Sequence, residues 1–143
     1  MDEKNPFEKL FVDEQTATEE LQRRIGEASE IFVIERETGR VIFKNFEKLS
    51  DNQRVAVILL GRYVAKKSGL DVSDTLGPSE IGRNIGKSRT SISGPITKLK
   101  SLGFIEAQSG VYRINPHMVG KVVDFIVGRE KYDGRRSKTQ KPE

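Results

Sequence analysis

Apolar residues between positions 51 and 68 recur at the spacing of an α-helix, with polar residues on the remaining positions. Ser50 stands directly before this segment and is a good N-cap, because its side chain can accept a hydrogen bond from the first helical turn. The pattern therefore predicts a long helix from Asp51 to about Ser68. Its apolar stripe consists of Val55, Ile58, Leu59, Tyr63 and Val64.

Two different patterns precede this helix. Residues 6–15 and 16–28 have helical periodicity. Residues 31–34 and 40–43 are short β-rich runs on either side of Thr38-Gly39, which predicts a hairpin. A two-stranded hairpin is marginally stable alone in water, so it must lie on something apolar. The N-terminal helices, the domain that follows or a second subunit could each supply that cover.

Residues 78–103 contain signals for two helices joined by a tight turn. The first helix is predicted from Pro78 to about Ile85, since proline suits the first helical turn. Gly86 supplies the turn, because glycine adopts positive φ without steric cost. Ser88 is then a predicted N-cap for a second helix that ends near Leu102.

A second hairpin and a final helix follow. Residues 104–107 and 111–114 flank Gln108-Ser109-Gly110, which predicts two strands and a short loop. Pro116 starts a helix that is apolar on nearly every side, so it needs cover on more than one face. We interpret this helix as half of a dimer interface; the alternative is packing on the domain's own core.

The residues in the middle of this region resemble the winged helix-turn-helix family of bacterial and archaeal DNA-binding regulators. In that family an apolar residue precedes Gly-x-Ser, then come Thr/Ser-Ile/Val-Ser and an ending of the form Leu-x-x-Leu-Gly-Phe/Leu-Ile. The resemblance is specific from Ile81 to Glu106. The matching segments are Ile85-Gly86-Lys87-Ser88, Ser91-Ile92-Ser93 and Leu99-Lys100-Ser101-Leu102-Gly103-Phe104-Ile105.

The resemblance implies a mainly α fold with small β-hairpins (α+β), in which a winged helix-turn-helix follows an N-terminal helix–β-hairpin segment. The helix predicted at 88–102 would be the recognition helix, which enters the DNA major groove. Pro95 departs from the family pattern, because it cannot donate a hydrogen bond to the carbonyl of Ser91. We therefore expect this helix to bend or to start late.

The chain is interpreted as three parts. Residues 1–49 form a packing or dimerisation segment, and residues 50–127 form the winged helix-turn-helix domain. Residues 128–143 are basic and lack apolar periodicity, so we expect a disordered tail.

Composition excludes several classes of function. The chain of 143 residues has no cysteine, and so no disulfide, thiol nucleophile or thiolate metal site. No apolar run is long enough to span a bilayer and the N-terminus is acidic, which favours a cytoplasmic protein without membrane contact. The single histidine, His117, has no partner at the spacing of a metal site or a catalytic triad. We predict a protein that is not an enzyme and that needs no cofactor or metal.

Charge is unevenly divided along the chain. Residues 1–50 contain 8 Lys/Arg and 12 Asp/Glu, whereas residues 51–143 contain 17 and 9. The basic part therefore includes the helix-turn-helix signature, as an electrostatic contact with phosphates requires. Solvated helix faces and a basic tail also produce such asymmetry, so charge alone does not establish DNA binding.

The helix predicted at 88–102 has two unlike faces. Ile92, Ile96, Leu99 and Leu102 form its expected buried stripe, and small residues edged by cations lie opposite. Hydroxyls can bond base edges or phosphates, and Arg89 is the best single candidate for a bidentate contact with guanine. The lysines are expected to contact phosphates, as is Arg113 near the second hairpin. The candidate DNA-binding residues are Lys87, Ser88, Arg89, Thr90, Ser93, Gly94, Thr97, Lys98, Lys100 and Arg113.

The resulting hypothesis is sequence-specific binding of double-stranded DNA by a homodimeric transcriptional regulator. Two recognition helices of a dimer would contact half-sites about one helical turn apart. The N-terminal segment would dimerise or bind another protein. The cations of the long helix, Arg54, Arg62, Lys66 and Lys67, either contact the DNA backbone or face solvent. The alternatives are a winged-helix protein-interaction module in a larger complex and a DNA-binding protein for plasmid or chromosome maintenance.

Overall fold

The computed structural model describes residues 22–128 and, before them, Gln15 and Glu19. Within this part of the chain, five α-helices and two antiparallel hairpins form a mixed α+β fold. The predicted helix at 6–15, most of 16–24 and the predicted basic tail lie outside the described residues. The helices are α1 (Ile25–Ala28), α2 (Asp51–Lys67), α3 (Pro78–Ile85), α4 (Ser93–Ser101) and α5 (Val119–Val127); the strands are β1 (Phe32–Ile34), β2 (Val41–Phe43), β3 (Ile105–Gln108) and β4 (Val111–Ile114).

Helix α2 lies at the centre of the fold. The Ser50 hydroxyl accepts a hydrogen bond from the Gln53 backbone N–H at 3.1 Å, and the Gln53 side chain accepts one from the Ser50 N–H at 2.8 Å, which confirms the predicted cap. The residues of the predicted stripe are buried, with Val64 half-buried, but burial extends beyond that stripe. All residues from Val55 to Gly61 are buried, because α2 contacts α3, α4, α5 and both hairpins.

The first hairpin is confirmed, and its cover is α2. The pairs Phe32–Phe43 and Ile34–Val41 face inward, and Val33–Ile42 faces outward. Phe32 belongs to the same hydrophobic core as the residues of α2 and α5. The described part of residues 1–49 therefore shares one core with residues 50–127.

Gly61 allows this hairpin to reach the backbone of α2. A Cβ atom at Gly61 would lie 2.2 Å from Cγ2 of Val41. We expect Gly61→Ala to lower the free energy of unfolding by about 1–3 kcal/mol, because the added methyl group overpacks a filled contact. Chemical denaturation measures this loss.

A double-mutant cycle provides the control for Gly61. Val41→Ala removes the methyl group that the new side chain would meet. In that background we expect Gly61→Ala to cost roughly nothing, because the two changes are coupled through one contact. An equal loss of stability in both backgrounds would contradict the packing described for the hairpin.

The second hairpin is also confirmed, with a shorter loop than predicted. Gln108 pairs with Val111, so only Ser109 and Gly110 form the turn, at φ of 54° and 84°. Two consecutive positive φ values are typical of the tight turns that join antiparallel strands. Leu76 and Tyr112 exchange backbone hydrogen bonds of 2.9 and 2.8 Å, which attaches the segment before α3 to the outer edge of β4.

Apart from the half-buried Val127, the apolar residues of α5 are buried within this single chain. The helix begins at Val119, after a 3₁₀ turn from Pro116 to Met118, and contacts α1 and α2. Phe125 packs edge to face on Phe104 with ring centroids 5.5 Å apart. Packing on the domain's own core therefore accounts for the apolar character of α5, and no dimer interface is needed to explain it.

Candidate nucleic-acid interface

Helix α3 and the turn that follows it match the prediction. Helix α3 runs from Pro78 to Ile85, and Gly86 follows at a φ of 76°, the left-handed conformation that ends a helix without steric cost for glycine. The chain then folds back on α3, since the Lys87 N–H donates to the carbonyl of Gly82 at 2.9 Å. A Cβ atom at Gly82 would lie 2.4 Å from the Lys87 carbonyl oxygen, so this approach requires glycine.

Helix α4 begins five residues later than predicted, and Pro95 explains the delay. With Ser93 as the first helical residue, Pro95 lies in the first turn, where a backbone N–H has no acceptor within the helix. A start at Ser88 would have placed the ring against the carbonyl of Ser91. The predicted helical N-cap at Ser88 was therefore wrong. Its hydroxyl instead accepts from the Ser91 N–H at 3.1 Å and closes a separate turn.

The two faces of α4 are largely as predicted. Ile92 and Leu99 are fully buried and Ile96 is 4% exposed, whereas Leu102 is only half-buried. The opposite side, which we call the hydroxyl face, is open to solvent at every position. It consists of Ser93, Gly94, Thr97 and Ser101 on α4 together with Thr90 in the turn before it.

The hydroxyls of this face differ in what they bind. Ser93 donates to the carbonyl of Thr90 at 3.0 Å, and Ser101 donates to that of Lys98 at 2.7 Å. The side chains of Thr90 and Thr97 make no hydrogen bond within the described part of the chain. Their donors and acceptors are therefore free for a ligand.

Three cations border the hydroxyl face without a partner among the described residues. Arg89 and Lys100 are exposed and Lys98 is half-buried, and none of them forms an ion pair there. Lys87 differs, because its Nζ lies 3.7 Å from an Asp51 carboxylate oxygen. At that distance, and with both side chains about two-fifths exposed, this pair contributes little and leaves the ammonium accessible.

Arg113 is not part of this group. Its guanidinium lies 3.8 Å from a carboxylate oxygen of Asp74 and 3.2 Å from one of Glu106. The Nε–H is buried but does not point at an acceptor, so it makes no hydrogen bond. Alternation along β4 directs Arg113 and Tyr112 to opposite sides of the hairpin. Tyr112 borders α4, and Arg113 borders Tyr63 and Lys66 at the end of α2. The structure therefore separates Arg113 from the other nine candidate residues.

The two arginines of α2 are committed to the protein itself. Arg54 stacks 3.8 Å above the Phe46 ring and donates to the Phe46 carbonyl. Arg62 donates to Glu80 and to the carbonyl of Ser73, both at 3.0 Å. These bonds hold both side chains against the protein rather than on a fully solvated face.

A cleft of about 400 Å³ separates α4 from β4. Tyr112 forms one wall and was not among the residues singled out from sequence. The alternation of Tyr112 with Arg113 along β4 is the signal that places it on the α4 side. None of the described residues lining the cleft is acidic; they are Pro78, Arg89, Thr90, Ser93, Ile96, Thr97, Lys100 and Tyr112.

The described residues offer little support for a metal site, a role of His117 in a site, or a membrane span. No group of three or more His, Asp or Glu side chains is placed to hold a metal ion there. His117 is exposed, and its backbone N–H donates to Asn115 in the turn before α5. No helix within the described ranges has the length and apolar character needed to cross a bilayer.

Comparison of the chain with known protein families, with curated proteins and with solved structures finds no match.

Proposed function

We propose that this protein binds double-stranded DNA through the hydroxyl face of α4 and acts as a transcriptional regulator. The observation that carries the proposal is the exposure of this face beside three cations, Arg89, Lys98 and Lys100, that form no ion pair within the described residues. Small hydroxyl side chains permit close approach to base edges, and flanking cations neutralise phosphates.

The dimensions and order of the elements support this proposal. Helix α4 has nine residues, so it is about 13 Å long and comparable to the width of the major groove. Helix, turn, helix and hairpin follow one another in the order of a winged helix-turn-helix, and Leu76 pairs with Tyr112 of β4 through a single β-bridge. In such an arrangement α4 would be the recognition helix.

The roles of individual residues follow from their positions. Ser93, Gly94 and Thr97 lie at the centre of the exposed face and would contact base edges. Lys87 and Lys98 lie at its margin and would contact phosphates. Ser88 would act through the turn that it closes, because its hydroxyl is already bonded to Ser91.

Selection of bound duplexes from a random pool tests this function. We expect recovery of a common motif and loss of affinity as salt rises, because phosphate contacts release counterions. A two-fold symmetric motif would support the homodimer. Failure of about 10 µM protein to retard any duplex at low salt would contradict the proposal, because even non-specific DNA binding reaches this range.

The outer face of the first hairpin is the surface that we propose for self-association. Val33 and Ile42 form a cross-strand pair and are 39% and 43% exposed, and Ile25 nearby is 51% exposed. A row of exposed apolar side chains is a common feature of protein interfaces. The apolar side chains of α5 are already buried and offer no comparable surface.

We expect Ile42→Lys to convert a dimer into a monomer, because the new charge would have to be buried at the interface. Sedimentation or light scattering measures the change. Ala107→Lys adds the same charge at an exposed position of the second hairpin and should leave the dimer intact. A wild-type monomer, or a dimer that survives Ile42→Lys, would contradict this assignment.

The same surface favours a second candidate function. An exposed apolar hairpin would also suit a protein-interaction module in a larger complex, in which the hydroxyl face is not used. Maintenance of a plasmid or chromosome would use the same DNA contacts as regulation. Salt-dependent DNA affinity separates the interaction module from both DNA-binding functions. All three functions are consistent with the proposed cytoplasmic location.

A further inference from the structure

We infer that the cleft between α4 and β4 binds one backbone phosphate of the DNA duplex, held by Arg89, Lys100 and Tyr112. This inference rests on the proposed function and assigns a ligand to a cavity of about 400 Å³ beside the base-reading residues. It also gives Arg89 a different role from the guanine contact expected from sequence.

The lining of the cleft favours an anion that accepts hydrogen bonds. Arg89 and Lys100 offer only donors, and neither is paired with a carboxylate of the described chain. The hydroxyls of Thr90, Ser93 and Thr97 also line the cleft and can donate or accept, but both of its charged side chains are cations. A phosphate presents only acceptors, and it matches the planar fork of an arginine.

Tyr112 is held firmly on the far wall. Its backbone bonds to Leu76 in both directions, at 2.8 and 2.9 Å, and its strand partner is Ala107. The phenol hydroxyl makes no hydrogen bond within the described residues, although the side chain is half-buried. A fixed hydroxyl that lacks a partner is suited to donate to an incoming oxygen.

Two apolar residues also line the cleft. Ile96 is 4% exposed and Pro78 is half-buried. Hydrogen bonds and ion pairs are stronger where apolar protein atoms replace part of the water around them, because the local dielectric is lower. The cleft therefore positions a phosphate against Tyr112 and leaves sequence readout to the centre of the hydroxyl face.

The test uses the full chain and a duplex recovered by selection. We expect Tyr112→Phe to weaken binding about 5- to 10-fold and Lys100→Ala by a similar factor, equally for the selected duplex and a scrambled one. Lys100→Ala should also lower the salt slope by about one. Lys121→Ala removes an exposed lysine on α5 and serves as the control. Thermal unfolding verifies that each variant is folded.

Replacing one DNA phosphate at a time with a neutral methylphosphonate identifies the phosphate that lies in the cleft. One position should weaken wild-type binding and have a smaller effect on Tyr112→Phe or Lys100→Ala, since each variant has already lost part of the contact. The inference is overturned if wild-type protein binds DNA and both variants match Lys121→Ala. It is also overturned if either variant changes sequence preference. Absence of any wild-type DNA binding would overturn the proposed function together with it.

Inorganic phosphate distinguishes a free anion from a DNA phosphate. We expect it to compete with the duplex only weakly, because a free ion lacks the neighbouring contacts that hold the backbone in the cleft. If Tyr112→Phe abolishes binding of inorganic phosphate but leaves DNA affinity unchanged, the cleft is a site for a free anion and the inference is wrong.

Discussion

Replacing Gly82 with alanine is expected to lower the free energy of unfolding by about 2 kcal/mol and to reduce DNA affinity at least about tenfold. The new Cβ would lie 2.4 Å from the Lys87 carbonyl oxygen, 3.3 Å from the Lys87 carbonyl carbon and 3.4 Å from that of Ser88. These are backbone atoms, so no side-chain rotation relieves the overlap. The turn between α3 and α4 must move, and Arg89 and the start of α4 move with it.

Gly94→Ala is the matched control for this change. Gly94 lies in the first turn of α4, and nothing lies within 4 Å of a Cβ built there. Because alanine favours a helix over glycine, we expect stability to be retained or raised by up to about 1 kcal/mol. Denaturation curves of the two variants separate the steric effect at Gly82 from the general effect of an added methyl group. Equal curves would contradict the close packing of the turn.

Removing the cations beside the hydroxyl face should have the largest effect on DNA binding. We expect Arg89→Ala, Lys98→Ala and Lys100→Ala together to weaken binding about a hundredfold and to lower the salt slope by about two to three. The folded state should be retained, because none of the three side chains forms an ion pair within the described residues. Fluorescence anisotropy at several salt concentrations measures both quantities.

A second triple variant removes the same net charge elsewhere. Arg36, Lys44 and Lys121 are exposed on the first hairpin, just after it, and on α5. Their replacement by alanine should change affinity less than about threefold, through long-range electrostatics alone. Similar losses in both triple variants would show that net charge and not the face of α4 determines binding.

Local signals were enough to predict most of the fold. Ser50, Gly86 and the residues around Gly110 each act through their own backbone neighbourhood, and their predicted roles were confirmed in position. The packing around α2 was not predictable in this way. The apolar residues on one face of α2 were predicted from their spacing. The burial of Ala56, Val57 and Leu60 was not, because it depends on elements far away in the chain.

The candidate site shows the same division between local and distant effects. The delay of α4 could be anticipated, because Pro95 acts on its own turn. The position of Arg113 could not, since Asp74 comes from a loop nearly forty residues earlier. Tyr112 was missed for a related reason. Tyr112 is a candidate only because it lines the cleft between α4 and β4, and neither element contains a sequence signal for that cavity.

Salt titration of wild-type protein against a selected duplex tests the central claim most directly. If the open face of α4 binds DNA, the logarithm of the affinity should fall linearly with the logarithm of salt, with a slope of about three or more. The selected duplex should also be preferred over a scrambled one by about a hundredfold or more. A complete lack of binding at about 50 mM salt, or a slope near zero, would contradict the account.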